Sequence, residues 1–327
     1  MCAHGTEEEL MLINNLVHEH ILSQMSRIKV IPLVQGSQEW LDFRKFKIGS
    51  SSAASIMGVG FKTPLQLFED IMEDKPTPVN DAMRRGSAME PIARAWINER
   101  CKADLQPVVV EHPNPEYNWH ISSIDGLCVM PNGLSLYGKE ILKPGEIFVC
   151  EIKCPGLKDH TTALEGKVPD KYLPQCYHIL EDLPGVNKIL YFSYREDSQA
   201  MVWVDRDEYE MTNQFGYELS FYSKLLSCRP PEPTEKDWVE FVQSDLIGQA
   251  NEYLQIMDEL SILEERSKEI KENLIIATAK TSRCKIGELK LQKVIRQGTV
   301  DYSQIDALKG IDLDKYRKPP IISWRAY

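Results

Sequence analysis

The most informative segment of the chain is Ile147-Phe148-Val149-Cys150-Glu151-Ile152-Lys153. Its run of apolar residues is typical of a strand that is buried in a sheet. Because side chains alternate along a strand, Glu151 and Lys153 point to one face, while Cys150 and Ile152 point to the other. A carboxylate and an ammonium group at the end of a core strand are costly unless they are paired or used. Taken alone, the segment is also compatible with a simple ion pair.

The surrounding sequence predicts an α/β fold with a central sheet flanked by helices. Strands are predicted at 107–111, 121–130, 147–153, 188–194 and 201–204. Helices are predicted from the N-cap Ser37 through Phe43, and at 64–74, 81–102, about 169–182 and 206–226. The helix at 169–182 lies between the third and fourth strands, which is the order of a helical crossover.

The chain is predicted to have three parts. Residues 1–30 are predicted to form a helix, residues 31–229 form the core, and residues 234–327 follow the helix-breaking segment Arg229–Pro233. In the last part, a long helix or a helix pair is predicted at 234–279. The residues Ile256, Leu260, Leu263, Ser267, Ile270 and Leu274 recur there by fours and threes, a seam suited to packing on another helix. A strand followed by a turn is predicted from Leu289 to Gly298.

The composition describes a chain that can bury a full core. It has 327 residues, of which 43% are hydrophobic, and a net charge of -11. Residues 275–327 carry a local charge of +6, which leaves -17 for residues 1–274. Such a basic tail suits either a polyanion or an ordinary solvated surface.

Several classes of protein are disfavoured by the sequence. The longest apolar runs fall far short of the roughly 20 residues that cross a bilayer, and the N-terminus lacks the pattern of a secretory signal. We therefore expect no membrane partner and a location in the cytoplasm. The eight cysteines are scattered without zinc spacing, so we expect reduced thiols.

A third charged residue belongs with the pair at 151 and 153. Asp125 lies in the strand pattern Ile121–Gly126, which otherwise consists of small and apolar residues. It could cap a turn there. If the two strands are neighbours, however, Asp125, Glu151 and Lys153 meet in one cleft, and such carboxylates are the oxygen ligands that Mg²⁺ requires.

The order Asp, then Glu-x-Lys one strand away, resembles the PD-(D/E)XK nuclease superfamily. Three further segments are similar to one branch of it, the phage-type exonucleases, which include the lambda-exonuclease-like enzymes and the YqaJ-like viral recombinases. These segments are residues 40–58, from Trp40 to Gly58; residues 85–93, from Arg85 to Ala93; and residues 172–178, from Tyr172 to His178. The resemblance covers residues 35 to 205. It implies a restriction-endonuclease-like core with a mixed central sheet. The residue pattern adds to this core an N-terminal helix and a mainly helical C-terminal extension.

The resemblance implies a metal site with named ligands. Asp125 and Glu151 would hold a catalytic Mg²⁺ or Mn²⁺, with the backbone carbonyl of Ile152 as a further ligand. Glu90 would reach a second metal or a metal-bound water, although it could also be an ordinary helix acid. Lys153 would orient the attacking water or neutralise charge on the phosphate in the transition state.

The resemblance also implies residues that bind the substrate. Gln175 would lie near the scissile phosphate or a metal-bound water. Arg44 and Ser51 would grip a 5′-terminal phosphate, with Ser52 as the alternative serine. His178 could be considered as a general base. A histidine on a helix, however, more often makes a local hydrogen bond.

Together these features predict a Mg²⁺-dependent exonuclease that acts 5′ to 3′ on double-stranded DNA ends. It would leave 3′ single-stranded overhangs for an annealing protein in phage-type homologous recombination, and the resemblance suggests a ring-shaped homotrimer. One alternative is a structure-specific or sequence-specific DNA endonuclease. Another is a catalytically inactive DNA-binding or scaffold protein.

Overall fold

The computed structural model describes residues 27–75, 80–295 and residue 305. Its compact units divide between Val239 and Glu240. The strands of the first unit are β1 (Lys29–Ile31), β2 (Ile48–Gly49), β3 (Gln106–Glu111), β4 (His120–Met130), β5 (Leu134–Leu136), β6 (Lys139–Leu142), β7 (Glu146–Lys153), β8 (Lys188–Arg195) and β9 (Ser198–Asp205). Its helices are α1 (Gln38–Phe43), α2 (Ala53–Ile56), α3 (Pro64–Met72), α4 (Asp81–Cys101), α5 (Leu157–Leu164), α6 (Leu173–Glu181) and α7 (Glu208–Leu226). A short 3₁₀ helix (Ser50–Ser52) joins β2 to α2.

The main sheet has the order β1-β3-β4-β7-β8-β9, and β2 pairs with β4. The β7–β8 and β2–β4 pairs are parallel, and the other pairs are antiparallel. The parallel β7–β8 connection runs through α5 and α6, as a helical crossover requires. The structure therefore confirms the predicted α/β fold with a mixed central sheet between helices.

Strand β7 contributes to two of the three hydrophobic clusters formed by the described residues. Val149 packs with residues of β8 and α6, including Ile179. Phe148 faces the other way and packs with residues of α4, including Ile97. This alternation explains why the segment reads as a continuous apolar run, since a strand covered on both faces has no solvent side.

Several predicted boundaries differ from the structure. The predicted helix over residues 1–30 is wrong for its last residues. Lys29–Ile31 form a strand that pairs with β3. Residues 1–26, which hold the rest of that prediction, lie outside the described residues. The helix predicted from residue 234 begins only at Ser244. Thr234 opens a turn instead, in which its N–H and its hydroxyl both donate to the carboxylate of Asp237. The sequence did not predict β2, α5 or the β5–β6 hairpin.

The second unit begins with the 34-residue helix α8 (Ser244–Ala277). An antiparallel hairpin follows, formed by β10 (Arg283–Ile286) and β11 (Leu289–Gln292). The basic segment 296–327 lies outside the described residues except for residue 305, so its predicted role is untested, and the three-part domain division also stays a prediction. Neither α8 nor any other helix in the described ranges combines the length and apolarity needed to cross a membrane.

A buried network of two histidines and two carboxylates fixes α6 and α7 against β4. His120 on β4 places Nδ1 2.6 Å from Asp182 Oδ1 and Nε2 2.8 Å from Glu218 Oε2. His178 on α6 places Nδ1 3.0 Å from Glu218 Oε1 and Nε2 3.0 Å from the Ile121 carbonyl oxygen. The two imidazole rings stack with centroids 3.6 Å apart. The network thus joins three elements that are far apart in sequence.

The charges in this network follow from its hydrogen bonds. A carbonyl or an ionised carboxylate can only accept, so both ring nitrogens of each histidine donate. Although burial lowers it, Asp182 and Glu218 raise the pKa of His120 to about 10. Burial acts to raise the pKa of Glu218, but His178 and His120 hold it well below its usual range. Two buried positive charges therefore face two buried negative charges.

Removing one carboxylate from this network should destabilise the first unit strongly. Glu218→Gln leaves two buried imidazolium groups with one anion, and breaking a buried ion pair in this way costs roughly 3 to 5 kcal/mol. Urea unfolding at neutral pH should show this loss. Glu210→Gln, an exposed change on the same helix, should leave the unfolding midpoint where it is. Equal midpoints for the two variants would contradict the assigned charges.

Candidate metal and phosphate site

The site lies where β4 and β7 separate. Their pairing ends at Gly126 opposite Cys150, and beyond that point β4 continues beside β3 and β2 while β7 continues beside β8. Asp125 is the next residue of β4, and its Oδ2 accepts a hydrogen bond of 2.8 Å from the backbone N–H of Ile152. The carboxylate thus satisfies a backbone donor that the separating strand no longer pairs.

A bulge in β4 directs Asp125 into this gap. The β3–β4 pairing shifts register between Gln106 opposite Leu127 and Val108 opposite Ile124, so β4 has an extra residue around Asp125 and Gly126. A side chain at Gly126 would place its Cβ 3.0 Å from the Cβ of Leu105. Bulges of this kind re-aim side chains beside functional sites, and the glycine lets the backbone approach Leu105.

Glu151 is a fully buried carboxylate with one oxygen left unsatisfied. Its Oε1 lies 2.5 Å from Lys153 Nζ. Its Oε2 has no hydrogen-bond partner among the residues that the structure describes. Burial, together with the negative charge of Asp125, raises the pKa of Glu151 to about 8. An orphaned, buried carboxylate oxygen is unfavourable unless a cation or a donor completes its coordination.

The other charged groups of the site respond to the same surroundings. Burial raises the pKa of Asp125, and the nearby Lys153 acts in the opposite direction. Burial would lower the pKa of Lys153, but the charges of Glu151 and Asp125 raise it above its usual range. The structure therefore brings Asp125, Glu151 and Lys153 together in one electrostatic unit, as the sequence suggested.

Glu90 reaches this unit from α4. Burial, followed by the charge of Asp125, raises the pKa of Glu90. Its carboxylate forms an ion pair with Arg94, one helical turn later, and Arg94 Nε donates a 2.6 Å hydrogen bond to the carbonyl oxygen of Asp125. The sequence analysis missed Arg94, although the i, i+4 spacing of an acid and a base was visible in the helix.

The residues present fit a hard divalent cation. Three carboxylates converge, each with a pKa raised by burial, and Glu151 Oε2 lacks a partner in the described part of the chain. Oxygen donors of this kind suit Mg²⁺ or Mn²⁺. The roles of Glu90, Asp125, Glu151 and the Ile152 carbonyl as ligands stay predictions.

A second group of residues is also compact enough to hold a metal. One ligand atom each from His120, His178 and Asp182 lie within 4.8 Å of one another. However, every ring nitrogen of these two histidines already has a carboxylate or carbonyl acceptor. We therefore assign this group to the hydrogen-bond network that holds α6. His178 is a member of that network and does not act as a base.

Arg44 forms a partly desolvated cationic pocket with Trp40. Its guanidinium carbon lies 4.2 Å from the centre of the Trp40 ring, and burial lowers the pKa of Arg44. A Cβ at Gly49 would lie 3.1 Å from the guanidinium, so glycine leaves room for it. Trp40 Nε1 donates a 2.9 Å hydrogen bond to Ser123 Oγ, two residues before Asp125. Within the described ranges, the guanidinium donates no hydrogen bond, so it is available to an anion.

The remaining predicted residues lie on elements that pack together around α6. Gln175 is 8% exposed, and its side chain makes no hydrogen bond to the residues that the structure describes. The thiol of the adjacent Cys176 interacts electrostatically with the site. Burial, followed by the negative charge of Glu151, raises the pKa of this thiol. The 3₁₀ helix packs on α6, with Ser51 exposed and Ser52 half-buried. The roles of these residues stay predictions.

Tyr191 was not expected at the site. It lies on β8 directly opposite Glu151, and its buried hydroxyl has no partner in the described part of the chain. Burial raises the pKa of this hydroxyl above its usual range, so it remains protonated. In the sequence Tyr191 is one aromatic residue within an apolar strand, and nothing there distinguishes it from a core residue.

Comparison with known proteins supports the resemblance seen in the sequence. Residues 39–181 match the model of the YqaJ-like viral recombinase domain. The alkaline exonuclease LHK-Exo from Laribacter hongkongensis is 21% identical, with a TM-score of 0.47, covering 59% of this chain and 94% of that one. The structure of LHK-Exo in complex with dAMP is 19% identical, with a TM-score of 0.48 and the same coverage. No curated protein matches the chain. The family match confirms the predicted resemblance.

The raised pKa of Glu151 predicts a pH-dependent stability in the presence of a chelator. A carboxyl group whose pKa is higher in the folded state stabilises the fold below its unfolded value of 4.5, and this contribution is lost as pH rises toward about 8. From pH 5 to pH 8, urea unfolding should therefore show wild type losing stability relative to Glu151→Gln. The exposed change Glu140→Gln should track wild type throughout. A constant difference between wild type and Glu151→Gln would show that this carboxyl titrates normally.

Proposed function

We propose that this chain is a divalent-metal-dependent nuclease that digests DNA from its ends, and the premise is that residues 39–181 match the model of the YqaJ-like viral recombinase domain. The observation that carries the proposal is Oε2 of Glu151, which is buried beside Asp125 and accepts no hydrogen bond from the residues that the structure describes. A purely structural ion pair would not need that oxygen to be left without a partner, whereas a metal-binding carboxylate would.

The metal would be held by Asp125 and Glu151, with the Ile152 carbonyl as a further ligand. When bound, such an ion lowers the pKa of a coordinated water and stabilises charge on a phosphate oxygen. Lys153 contributes a fixed positive charge, because its interactions with Glu151 and Asp125 keep it protonated. Lys153 would therefore neutralise negative charge on the phosphate rather than accept a proton.

The second metal predicted from the resemblance depends on Glu90. In the structure this carboxylate is engaged by Arg94, which also holds the carbonyl of Asp125. Arg94 therefore supplies positive charge beside the carboxylates. A second ion would bind at Glu90 only in competition with this guanidinium, so Mg²⁺ or Mn²⁺ bound by Asp125 and Glu151 is the minimal proposal.

Arg44 favours attack at a DNA end over attack within a strand. A guanidinium that is desolvated, stacked on Trp40 and without an acceptor in the described ranges suits a phosphate group bidentately. With Ser51 or Ser52 as a further donor, it would hold a 5′-terminal phosphate. On this basis we include in the proposal a 5′ to 3′ polarity, 3′ overhangs for an annealing protein, and the ring-shaped trimer that the resemblance implies.

Digestion of different DNA forms tests the proposed activity. With Mg²⁺, wild type should degrade linear duplex DNA and leave covalently closed circles intact. Glu151→Ala should degrade linear DNA at least about 100-fold more slowly than wild type, because the metal would lose its buried ligand. Glu140→Ala, an exposed control, should retain the rate. Nicking of closed circles would indicate an endonuclease, and failure to cut any DNA would indicate a binding protein.

End recognition is tested by the phosphorylation state of the DNA. Wild type should degrade 5′-phosphorylated ends faster than 5′-hydroxyl ends, and Arg44→Ala should reduce that preference by roughly tenfold or more, since a hydrogen bond to a charged group is lost. Lys45→Ala removes the neighbouring exposed cation and should keep the preference. If Arg44→Ala slows both substrates equally, Arg44 has no role in recognising the 5′ phosphate.

A further inference from the structure

Helix α8 leaves a long apolar surface exposed. None of its 34 residues is buried. Tyr253, Ile256, Leu260, Leu263 and Ile270 are each between 45% and 64% exposed. Apolar surface in water costs about 25 cal/mol per Å², so side chains of this size favour a covering surface. The sequence of the helix indicates what that surface is.

The apolar residues of α8 follow a heptad repeat. Residues Leu246, Tyr253, Leu260, Ser267 and Leu274 occupy the a positions. Residues Gln249, Ile256, Leu263, Ile270 and Ala277 occupy the d positions. The f positions, on the opposite side of the helix, are all polar: Asn251, Asp258, Glu265 and Glu272. This is the pattern of a helix that packs on another helix of the same repeat.

The charges that flank the seam disfavour a parallel pair of identical helices. In a parallel coiled coil, each g residue faces the e residue five positions later in the partner. Glu259 would then face Glu264 of the second copy, and Arg266 would face Lys271. Both contacts join like charges. An antiparallel pair instead brings g residues opposite g residues, so Glu259 faces Arg266 of the second copy, twice by symmetry.

The same charges select one antiparallel register. With Leu260 against Leu263 of the second copy, both Glu259–Arg266 contacts form, and Tyr253 packs on Ile270. Sliding one helix by seven residues in either direction places Glu259 against itself or Arg266 against itself. In the single chain Arg266 pairs with Glu269, at 2.6 Å, but an exposed pair of this kind contributes little and can be exchanged.

We propose that α8 forms an antiparallel two-helix coiled coil with α8 of a second copy of this chain, with Leu260 packed against Leu263. The contact is independent of the nuclease site. It is also separate from a trimeric ring, because an antiparallel pair has twofold symmetry. Breaking this contact would halve the mass of the assembly, whether or not the first units also associate with one another.

Charge exchange in the full-length protein tests the pairing. At low salt, analytical ultracentrifugation over a series of protein concentrations should show that Glu259→Arg needs a higher concentration than wild type to reach the paired mass. This substitution places a guanidinium at position 259 against Arg266 twice, which should weaken association by about tenfold. The double variant Glu259→Arg/Arg266→Glu restores opposite charges and should restore the wild-type mass. Glu265→Arg makes the same charge change at an f position and should behave as wild type.

Other outcomes would overturn the proposal. Stronger association of Glu259→Arg would indicate a parallel pair, since the guanidinium introduced at position 259 would then face Glu264. Equal association constants for wild type and all variants would show that these charges do not join two copies of α8 in the proposed register. Nuclease activity on linear DNA, measured in parallel, separates failure of this contact from failure of the proposed function, because none of the substituted residues lies in the first unit.

Discussion

The separation of β4 from β7 is the constraint on which the site depends. Where two strands separate, some of their backbone N–H groups lose their hydrogen-bond partners. Such groups need another acceptor when they are buried. Asp125 satisfies one of them by accepting from the N–H of Ile152. That contact brings a carboxylate beside Glu151 in the interior of the protein. There, the negative charge on one carboxylate makes ionisation of the other less favourable. The geometry of the sheet thus places two negative charges side by side, which the charge of Lys153 offsets in part and which the proposed cation would offset further.

Two buried groups of charged side chains in the described part of the first unit differ in how fully their polar atoms are paired. In the group formed by His120, His178, Asp182 and Glu218, positive and negative charges balance and every ring nitrogen has an acceptor. At the carboxylate site, by contrast, Glu151 Oε2 and the hydroxyl of Tyr191 lack partners in the described part of the chain. A satisfied network rigidifies a fold, whereas an incomplete one at a strand terminus has capacity for a ligand.

The sequence predicted the parts of this structure that depend on local pattern. Alternation along residues 147–153 gave the shared face of Glu151 and Lys153, and an isolated acid in an apolar strand gave Asp125. Contacts between residues distant in sequence were not predictable in this way. His120 and Glu218 are 98 positions apart, and neither lies in a pattern that indicates burial with opposite charge. Strand β1 was missed because its three residues form a strand only by pairing with β3.

Helix α6 links the two buried groups. Gln175, His178 and Asp182 are spaced by three and four residues, so they lie along one side of the helix and its C-terminal cap. His178 and Asp182 are held by the histidine network, and Gln214 of α7 donates to the carbonyl of Pro174 at the start of the helix. Both ends of α6 are therefore fixed. A glutamine held at the N-terminal end of such a helix has few positions available to it, and the predicted role of Gln175 near a phosphate would depend on that restriction. The histidine network, though closed to ligands itself, thereby determines where Gln175 stands relative to Glu151.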